Sequence, residues 1–183
     1  MTVIAFYSPV MGSGKSAAAN YLVEKHGFKL VKFAAPLKDM TRALLPHLGV
    51  PDSHVERHVE GDLKETPLHD HGTLTTRRIM QTLGTEWGRK TIANDFWTRI
   101  VYEQVAAHLQ YGNRVVIDDL RFLNEWSTVQ KLGGQCYRIF RAGLVTNSNH
   151  GSEGALEDID LPTIVNDSTL ENFLLVVDRL ARA

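Results

Sequence analysis

A run of small residues that ends in Gly-Lys-Ser, at residues 8–16 (SPVMGSGKS), limits most strongly what this chain can fold into. It follows the apolar run 3–7 (VIAFY), which is typical of a buried strand, and precedes residues 17–25, which have an amphipathic helical pattern. Strand, small-residue loop, Gly-Lys-Ser and helix are the layout of a phosphate-binding loop. Small residues let backbone N–H groups converge on phosphate oxygens, and the helix directs the positive end of its dipole at the same anion.

The residue types in this loop predict how a nucleotide is held. Lys15 is expected to reach the β- and γ-phosphates, and the Ser16 hydroxyl to ligate Mg²⁺. Position 9 departs from the motif, because proline stands where the first glycine is usual and its ring excludes a positive φ. Either the loop enters by a different turn, or residues 8–9 accept the geometry without glycine. The expected nucleotide-binding set is Gly12, Ser13, Gly14, Lys15, Ser16 and Ala17.

Length and composition narrow the class of protein. The chain has 183 residues, 43% of them hydrophobic and 22% charged, which suits one globular domain over residues 1–183. The net charge of −1 provides no basic field for a nucleic-acid polymer or an anionic membrane, and no apolar run approaches the ~20 residues of a membrane span. A lone cysteine, Cys136, excludes an internal disulfide and fits a reducing compartment. We therefore expect a soluble cytoplasmic protein.

Strand-like and helix-like patterns alternate along the chain. This alternation predicts an α/β fold with a mainly parallel five-stranded sheet flanked by helices. Strands are expected at 2–7, 28–33, 114–119, 135–141 and 163–165, and helices at 17–25, 36–48, 75–83, 95–109, 122–132 and 169–182.

Two polar segments, 49–74 and 142–161, fit no element well. Long loops in compact domains are usually lids, binding loops or disordered segments. In a doubly wound sheet, ligands sit at the carboxyl ends of the strands, so both segments are expected at the phosphate-binding end.

A pair of acids follows the apolar strand residues 115–117. A carboxylate at the end of a buried strand can hold Mg²⁺ through water or meet the acceptor, and either Asp118 or Asp119 could do so. Asp119 also forms a D-x-R pair with Arg121, and the alternative interpretation is an acidic helix N-terminus.

Other candidate residues are cationic or aromatic. Guanidinium groups match phosphate oxygens, and Arg78, Arg121 and Arg141 lie at element ends or near the suspected site. Trp97 could stack on a base or fill the core, and the core is the usual place for an aromatic ring.

These features together resemble the phage-type deoxynucleoside monophosphate kinases over most of the chain. A phosphate-binding loop alone is shared by many unrelated activities, whereas the segment 77–86 (RRIMQTLGTE) is far more specific. The remaining matching segments are 32–39 (KFAAPLKD), 117–121 (IDDLR), 124–125 (NE), the Gly-Gly at 133–134 before the strand that ends in Arg141, 150–153 (HGSE) and 165–168 (VNDS), with Trp97 at the family's distance from 77–86.

The resemblance implies a three-layer P-loop kinase fold that transfers the γ-phosphate of ATP to a deoxynucleoside monophosphate. It implies that 49–74 is an acceptor-side insert, that 142–161 is a lid-like segment begun by Arg138 or Arg141, and that the protein is a monomer or homodimer. Ser16 and Asp119 would hold Mg²⁺. The implied catalytic residues are Lys15, Asp119, Arg121 and Arg141. The implied substrate-binding residues are Phe33, Lys38, Arg78, Gln81, Trp97, Asp118, Asp119, Arg121 and Glu153.

Two other functions are compatible with the same loop. The scaffold could phosphorylate another small acceptor, such as a coenzyme A precursor or a phosphorylated alcohol. It could also be a non-catalytic nucleotide-binding domain. A GTPase is disfavoured, because the chain contains neither D-x-x-G nor N-K-x-D.

Overall fold

The computed structural model describes residues 2–69, 71–144 and 156–182. These residues divide into two compact units, one within Met1–Phe33 and Val101–Ala183 and the other within Ala34–Ile100. The described helices are α1 (Lys15–His26), α2 (Ala35–Leu44), α3 (Asp52–Val59), α4 (Thr76–Gln81), α5 (Phe96–Gln110), α6 (Leu123–Lys131) and α7 (Leu170–Leu180). In the part of the chain that the structure describes, no helix is long and apolar enough to cross a bilayer.

The first unit is built on a five-stranded sheet, as expected. Its strands are β1 (Val3–Tyr7), β2 (Lys29–Val31), β3 (Val115–Leu120), β4 (Gln135–Phe140) and β5 (Thr163–Val165). Their order is β2-β3-β1-β4-β5, and every pairing is parallel. Because parallel strands end at the same edge, the segments that follow β1, β3, β4 and β5 emerge close to one another.

Helices cover both faces of this sheet, which makes the unit a three-layer structure. On one face, Ile4, Phe6 and Val116 pack in one cluster with residues of α1 and α7. On the other face, alternate residues of the same strands, such as Ala5 and Ile117, pack with α5 and α6. Burial of one such aliphatic or aromatic side chain contributes roughly 1.5–3 kcal/mol.

The second unit is helical, and it differs from expectation in one helix boundary and in one helix that was not predicted. The helix expected over 36–48 is observed as α2, which ends at Leu44 and is followed by a 3₁₀ turn, Leu45–Leu48. The α-helix ends there because Pro46 has no N–H for an α-helical hydrogen bond. Helix α3 lies in the segment 49–74, where no element was expected. Its eight residues carry only Val55 and Val59 as apolar positions, too few to show a helical period.

The helix expected over 75–83 continues well beyond its expected end. After α4 the chain forms a π-helix, Thr82–Ile92, around the indole of Trp97. Trp97 Nε1 donates to the Gly84 carbonyl at 2.9 Å, and the ring lies against the Cα of Gly88. Glycines weaken an α-helical pattern, so a helix that depends on them for close packing is not indicated by periodicity.

The close approach of Gly88 to Trp97 leads to the first stability prediction. A Cβ at Gly88 would overlap the indole, whereas a Cβ at Gly84 has Leu37 Cδ2 as its nearest neighbour, at 3.6 Å. We expect Gly88→Ala to lower the free energy of unfolding by about 1–3 kcal/mol, as overpacked sites do. Gly84→Ala in the same π-helix is the matched control and should leave the free energy of unfolding unchanged or raise it. Urea denaturation of both variants tests this, and equal effects would contradict the assigned packing.

A second stability prediction concerns Asp178, where α7 is tied to α1. His26 Nε2 lies 2.7 Å from Asp178 Oδ1, Tyr21 Oη donates to the same oxygen at 3.1 Å, and Arg182 Nε is 2.8 Å from Oδ2. The hydrogen bond with His26, followed by that with Tyr21, lowers the pKa of Asp178 below its ordinary 3.8. A carboxyl group whose pKa is lowered in the folded state stabilises that state at pH values above 3.8. The stabilisation disappears as the pH falls through the pKa of the folded state.

We therefore expect Asp178→Asn to lower the Tm at pH 7 and to have a much smaller effect near pH 3. Thermal unfolding followed by circular dichroism at both pH values measures this. Asp160→Asn, at an exposed position, is the control and should leave the Tm unchanged at either pH. A loss of stability in Asp178→Asn that is the same at both pH values would rule out the charge of the Asp178 carboxylate as its cause.

Candidate active site

Two glycines form the left-handed turns of the loop between β1 and α1. Gly12 has φ 78° and Gly14 has φ 113°, values that favour glycine because a Cβ is strained there. Pro9 lies in a bend before them. The loop therefore makes its left-handed turns at positions 12 and 14, and the proline at position 9 does not have to supply one.

The side chain of Lys15 lies back over this loop. Its Nζ donates to the carbonyls of Ser8 at 3.3 Å and Val10 at 3.1 Å, and it is 3.4 Å from the Ser13 hydroxyl. Helix α1 begins at Lys15, and the backbone of Gly14 already accepts a bond from the Ala18 N–H at 2.9 Å. A cation and the N-terminus of a helix thus point at the same loop, which is the electrostatic setting of a phosphate site.

Two side chains from other strands hold the loop by its carbonyl groups. Arg141, directly after β4, donates from Nη1 to the Gly12 carbonyl at 3.3 Å. Asn166, directly after β5, donates from Nδ2 to the Ser13 carbonyl at 2.8 Å. Arg141 was expected near the phosphates and lies at the loop. Asn166 was not identified as a site residue; its only sequence signal was its place directly after the last strand, in the VNDS segment.

The two acids that follow Ile117 lie where the register between β1 and β3 shifts by one residue, since Ala5 pairs with Ile117 and Tyr7 with Leu120. The extra residue in β3 interrupts the alternation of side chains there, so the two acids are distinguished by their hydrogen-bond partners. The side chain of Asp118 is 3% exposed, and Oδ2 accepts from Lys32 Nζ at 3.0 Å. Its other oxygen, Oδ1, is buried and has no hydrogen-bond partner among the described residues. A buried carboxylate oxygen without a partner is costly, so it marks a place for a ligand or water.

Asp119 is engaged differently from its neighbour. Its Oδ1 accepts the backbone N–H of Phe33 at 2.9 Å. The ring of Phe33 is 4% exposed and packs in the core of the first unit. Asp119 therefore ties the end of β3 to the chain leaving β2, and Phe33 contributes its backbone there while its ring is covered.

Arg121 follows these acids on a turn that another acid holds in place. The buried Glu125 accepts the backbone N–H groups of Arg121 at 2.8 Å and of Phe122 at 3.1 Å through Oε2. The Arg121 side chain is exposed and forms no ion pair with any described residue. Its guanidinium is thus presented on a fixed backbone with its donors available.

Arg138, the second candidate for the start of the lid, donates hydrogen bonds to backbone carbonyl groups. Its Nη2 donates to the carbonyls of Leu156 and Glu157, both at 3.0 Å, and of Ile159 at 3.2 Å. It therefore holds the chain that returns to β5. The predicted Glu153 lies outside the described residues, as does most of the segment expected to form a lid.

The second unit carries the other candidate residues for the acceptor. Lys38 Nζ is paired with both carboxylate oxygens of Glu60 at 2.8 Å. Arg78 and Gln81 are exposed on α4, whose first turn is capped by Thr75. Trp97 is 2% exposed, with its N–H bonded inside this unit, so it occupies the core position that is usual for an aromatic residue.

The fold and the loop define a P-loop kinase architecture. A solved structure with this fold is dephospho-CoA kinase from Campylobacter jejuni, which aligns over 99% of this chain and 95% of its own with a TM-score of 0.50 at 13% identity. An identity this low shows a common fold and says nothing about the acceptor.

The sequence comparisons identify the family. Residues 47–176 match the family model described as deoxynucleotide monophosphate kinase. A protein of Acanthamoeba polyphaga mimivirus, provisionally named as a deoxynucleotide monophosphate kinase, is 32% identical over 88% of this chain and 87% of its own length. The deoxynucleotide monophosphate kinase of Escherichia phage RB69 is 25% identical over 66% of this chain and 50% of its own. The chain belongs to the deoxynucleotide monophosphate kinase family, and it is a nucleotide kinase.

Proposed function

We propose that the chain transfers the γ-phosphate of ATP to a deoxynucleoside 5′-monophosphate at the site organised by the loop of residues 8–16. The observation that carries this proposal is the convergence at one loop of the Lys15 ammonium, the N-terminus of α1 and the Arg141 guanidinium. In phosphoryl transfer, catalysis consists of positioning and charge neutralisation, and these groups supply both. An acceptor phosphate is already ionised at neutral pH, so no strong general base is needed.

The donor side of the site uses the backbone of residues 12–17 to hold the phosphates. Lys15 would exchange its present bonds to loop carbonyls for the more strongly charged phosphate oxygens, because hydrogen bonds between ionised groups are stronger than those to neutral carbonyls. Arg141 would add a second cation from the end of β4. We propose Lys15, Arg141, Arg121 and Asp119 as the residues that contact the reacting groups.

The residues near the loop fit a bound Mg²⁺. Ser16 presents an exposed hydroxyl at the start of α1, and Asp118, at the end of the strand beside β1, has a buried carboxylate oxygen without a partner among the described residues. Oxygen ligands of this kind suit Mg²⁺. Bound there, Mg²⁺ would neutralise charge on the β- and γ-phosphate oxygens. The sequence pointed to Ser16 and Asp119; we propose Ser16 and Asp118, because Asp119 is occupied by the Phe33 N–H.

The acceptor would be recognised by residues with exposed donors. Arg78, Arg121 and Gln81 are the proposed direct contacts, since guanidinium forks match phosphate geometry. Lys38, Phe33 and Trp97 are proposed as supporting residues of the acceptor site rather than direct contacts, because each is already held in an ion pair or in the core. We further propose 49–74 as the acceptor-side insert, 142–161 with Glu153 as the lid-like segment, and the cytoplasm as the location.

ADP release coupled to a chromogenic reaction tests the proposed function. Purified protein is given Mg-ATP and each ribo- and deoxyribonucleoside monophosphate in turn. We expect ADP release that depends on one or more deoxynucleotides and exceeds release with the matching ribonucleotides. ATP binding without stimulation by any nucleotide would overturn the proposed acceptor and favour another small molecule or a non-catalytic role.

A pair of neighbouring arginines provides a test of the acceptor site. Arg77 pairs with Glu65, whereas Arg78 is exposed and forms no ion pair with the described residues. We expect Arg78→Ala to raise the KM for the deoxynucleotide by roughly 10- to 100-fold, the effect of losing one charge-assisted hydrogen bond, with the KM for ATP unchanged. Arg77→Ala removes the same charge one position away and should change neither constant appreciably. Steady-state kinetics with each substrate varied separates these outcomes, and equal effects of the two changes would argue against Arg78 as a contact.

A further inference from the structure

Asn166 is a buried polar residue to which neither the sequence motifs nor the proposed chemistry assigns a role. It is 8% exposed and directly follows β5. Its backbone N–H donates to the Phe140 carbonyl at 2.7 Å, which continues the β4–β5 pairing by one residue. Its side-chain amide donates to the Ser13 carbonyl at 2.8 Å. The residue therefore connects the sheet edge rigidly to the phosphate-binding loop.

This hydrogen bond determines how one peptide group of the loop is oriented. A trans peptide unit is planar, with its carbonyl and its N–H pointing in opposite directions. Because Asn166 holds the Ser13 carbonyl on its own side, the N–H of Gly14 must point away from Asn166. In a phosphate-binding loop, N–H groups directed to a common side form the concave surface that receives the anion.

The packing around Gly14 restricts the same peptide. A Cβ at Gly14 would lie 2.7 Å from Asn166 Nδ2 and 3.3 Å from two ring carbons of Phe173 on α7. The loop backbone is thus in close contact with the amide on one side, with no room to rotate toward it. A hydrogen bond and close packing independently fix the orientation of the Ser13–Gly14 peptide.

We propose that Asn166 is a positioning residue for the phosphate donor: its side-chain amide holds the Ser13–Gly14 peptide so that the Gly14 N–H points to the bound phosphate. The proposal rests on the function proposed above and extends it to a residue outside the loop. Asn166 acts through the backbone, so its loss weakens binding of ATP and leaves binding of the deoxynucleotide unaffected.

Two substitutions test this role. Asn166→Asp keeps the shape of the side chain but replaces the donor by a carboxylate, which repels both the Ser13 carbonyl and the phosphates. Asn166→Ala removes the donor without adding charge. We expect the KM for ATP to rise about tenfold in Asn166→Ala, the effect of one hydrogen bond, and further in Asn166→Asp. The KM for the deoxynucleotide should stay within about twofold of that of the unmodified chain in both.

The control is Asn172→Asp, which adds the same charge at an exposed position on α7. It should leave both KM values unchanged. Thermal unfolding with and without ATP is a second readout, since a bound ligand raises the Tm by an amount set by its affinity. A purely structural role would lower the Tm without ATP and reduce kcat while the KM for ATP stays constant, and that result would overturn the proposal. If the unmodified chain itself shows no deoxynucleotide-dependent ADP release, the proposed function fails instead, and the effect of ATP on the Tm still tests Asn166.

Discussion

Lys15→Ala is expected to lower kcat by about three orders of magnitude or more and to leave the chain folded. Lys15 is the cation that lies over the loop and would meet the transferring phosphate. Loss of one preorganised charge at such a position costs about 10²–10³ in rate, and loss of a catalytic arginine in related chemistry costs 10³–10⁵. Turnover in the coupled ADP assay measures the effect.

The fold should survive this substitution because the side chain of Lys15 lies outside the core of the first unit. Its partners include two loop carbonyls and one loop hydroxyl, and its side chain is not part of either core cluster of the first unit. Lys25→Ala, at an exposed position in the last turn of the same helix, removes an equal charge and is the matched control. Near-normal activity in Lys15→Ala would contradict the assignment of the loop as the donor site.

Asp118→Asn is expected to reduce kcat by about 100-fold and to raise the Mg²⁺ concentration needed for half-maximal activity. The substitution keeps the size of the side chain and removes the charge from the buried oxygen that has no partner in the described residues. A charge lost from a site that stabilises the transition state has an effect of this size. Lys32, its partner, is 33% exposed and can be solvated, so the fold is expected to remain intact.

Asp119→Asn is the comparison that distinguishes the two acids. Asp119 accepts the Phe33 N–H through Oδ1, so its substitution should act on the acceptor and leave the Mg²⁺ response unchanged. The shift in Tm produced by ATP, measured over a range of Mg²⁺ concentrations, gives a second readout. If Asp119→Asn alters the Mg²⁺ response and Asp118→Asn does not, the assignment made from the sequence is the correct one.

Much of the fold follows from local patterns. The five strands and their alternation with helices predicted a mainly parallel sheet, and the structure confirms it. The expected helix over 95–109 corresponds to α5, because its apolar stripe is long enough to show a helical period. Helix α3 and the π-helix were missed, since the first is too short to show a period and the second depends on glycines that pack against Trp97.

The sequence likewise indicated some residues of the candidate site and not others. The sequence identified the loop, the pair of acids and Arg141, because each is marked by residue type and by its place at the end of a strand. It did not identify Asn166, which is 153 positions from its partner Ser13 and whose place in the VNDS segment after the last strand does not indicate that partner. It also left the roles of Asp118 and Asp119 open, because the partners that distinguish them, the Lys32 ammonium and the Phe33 N–H, each lie 86 positions away in the sequence.

The sequence by itself determined the strand, loop and helix around Lys15, because the dihedral freedom of Gly12 and Gly14, the apolar run before them and the helical period after them act over a few residues. The tertiary structure decided which side chains from distant strands meet that loop. Sheet order places β4 next to β1 and β5 next to β4, so that Arg141 and Asn166 bind carbonyl groups of the loop that follows β1. That order depends on how apolar faces pack together, which is a property of the whole sheet and its helices and not of any one segment.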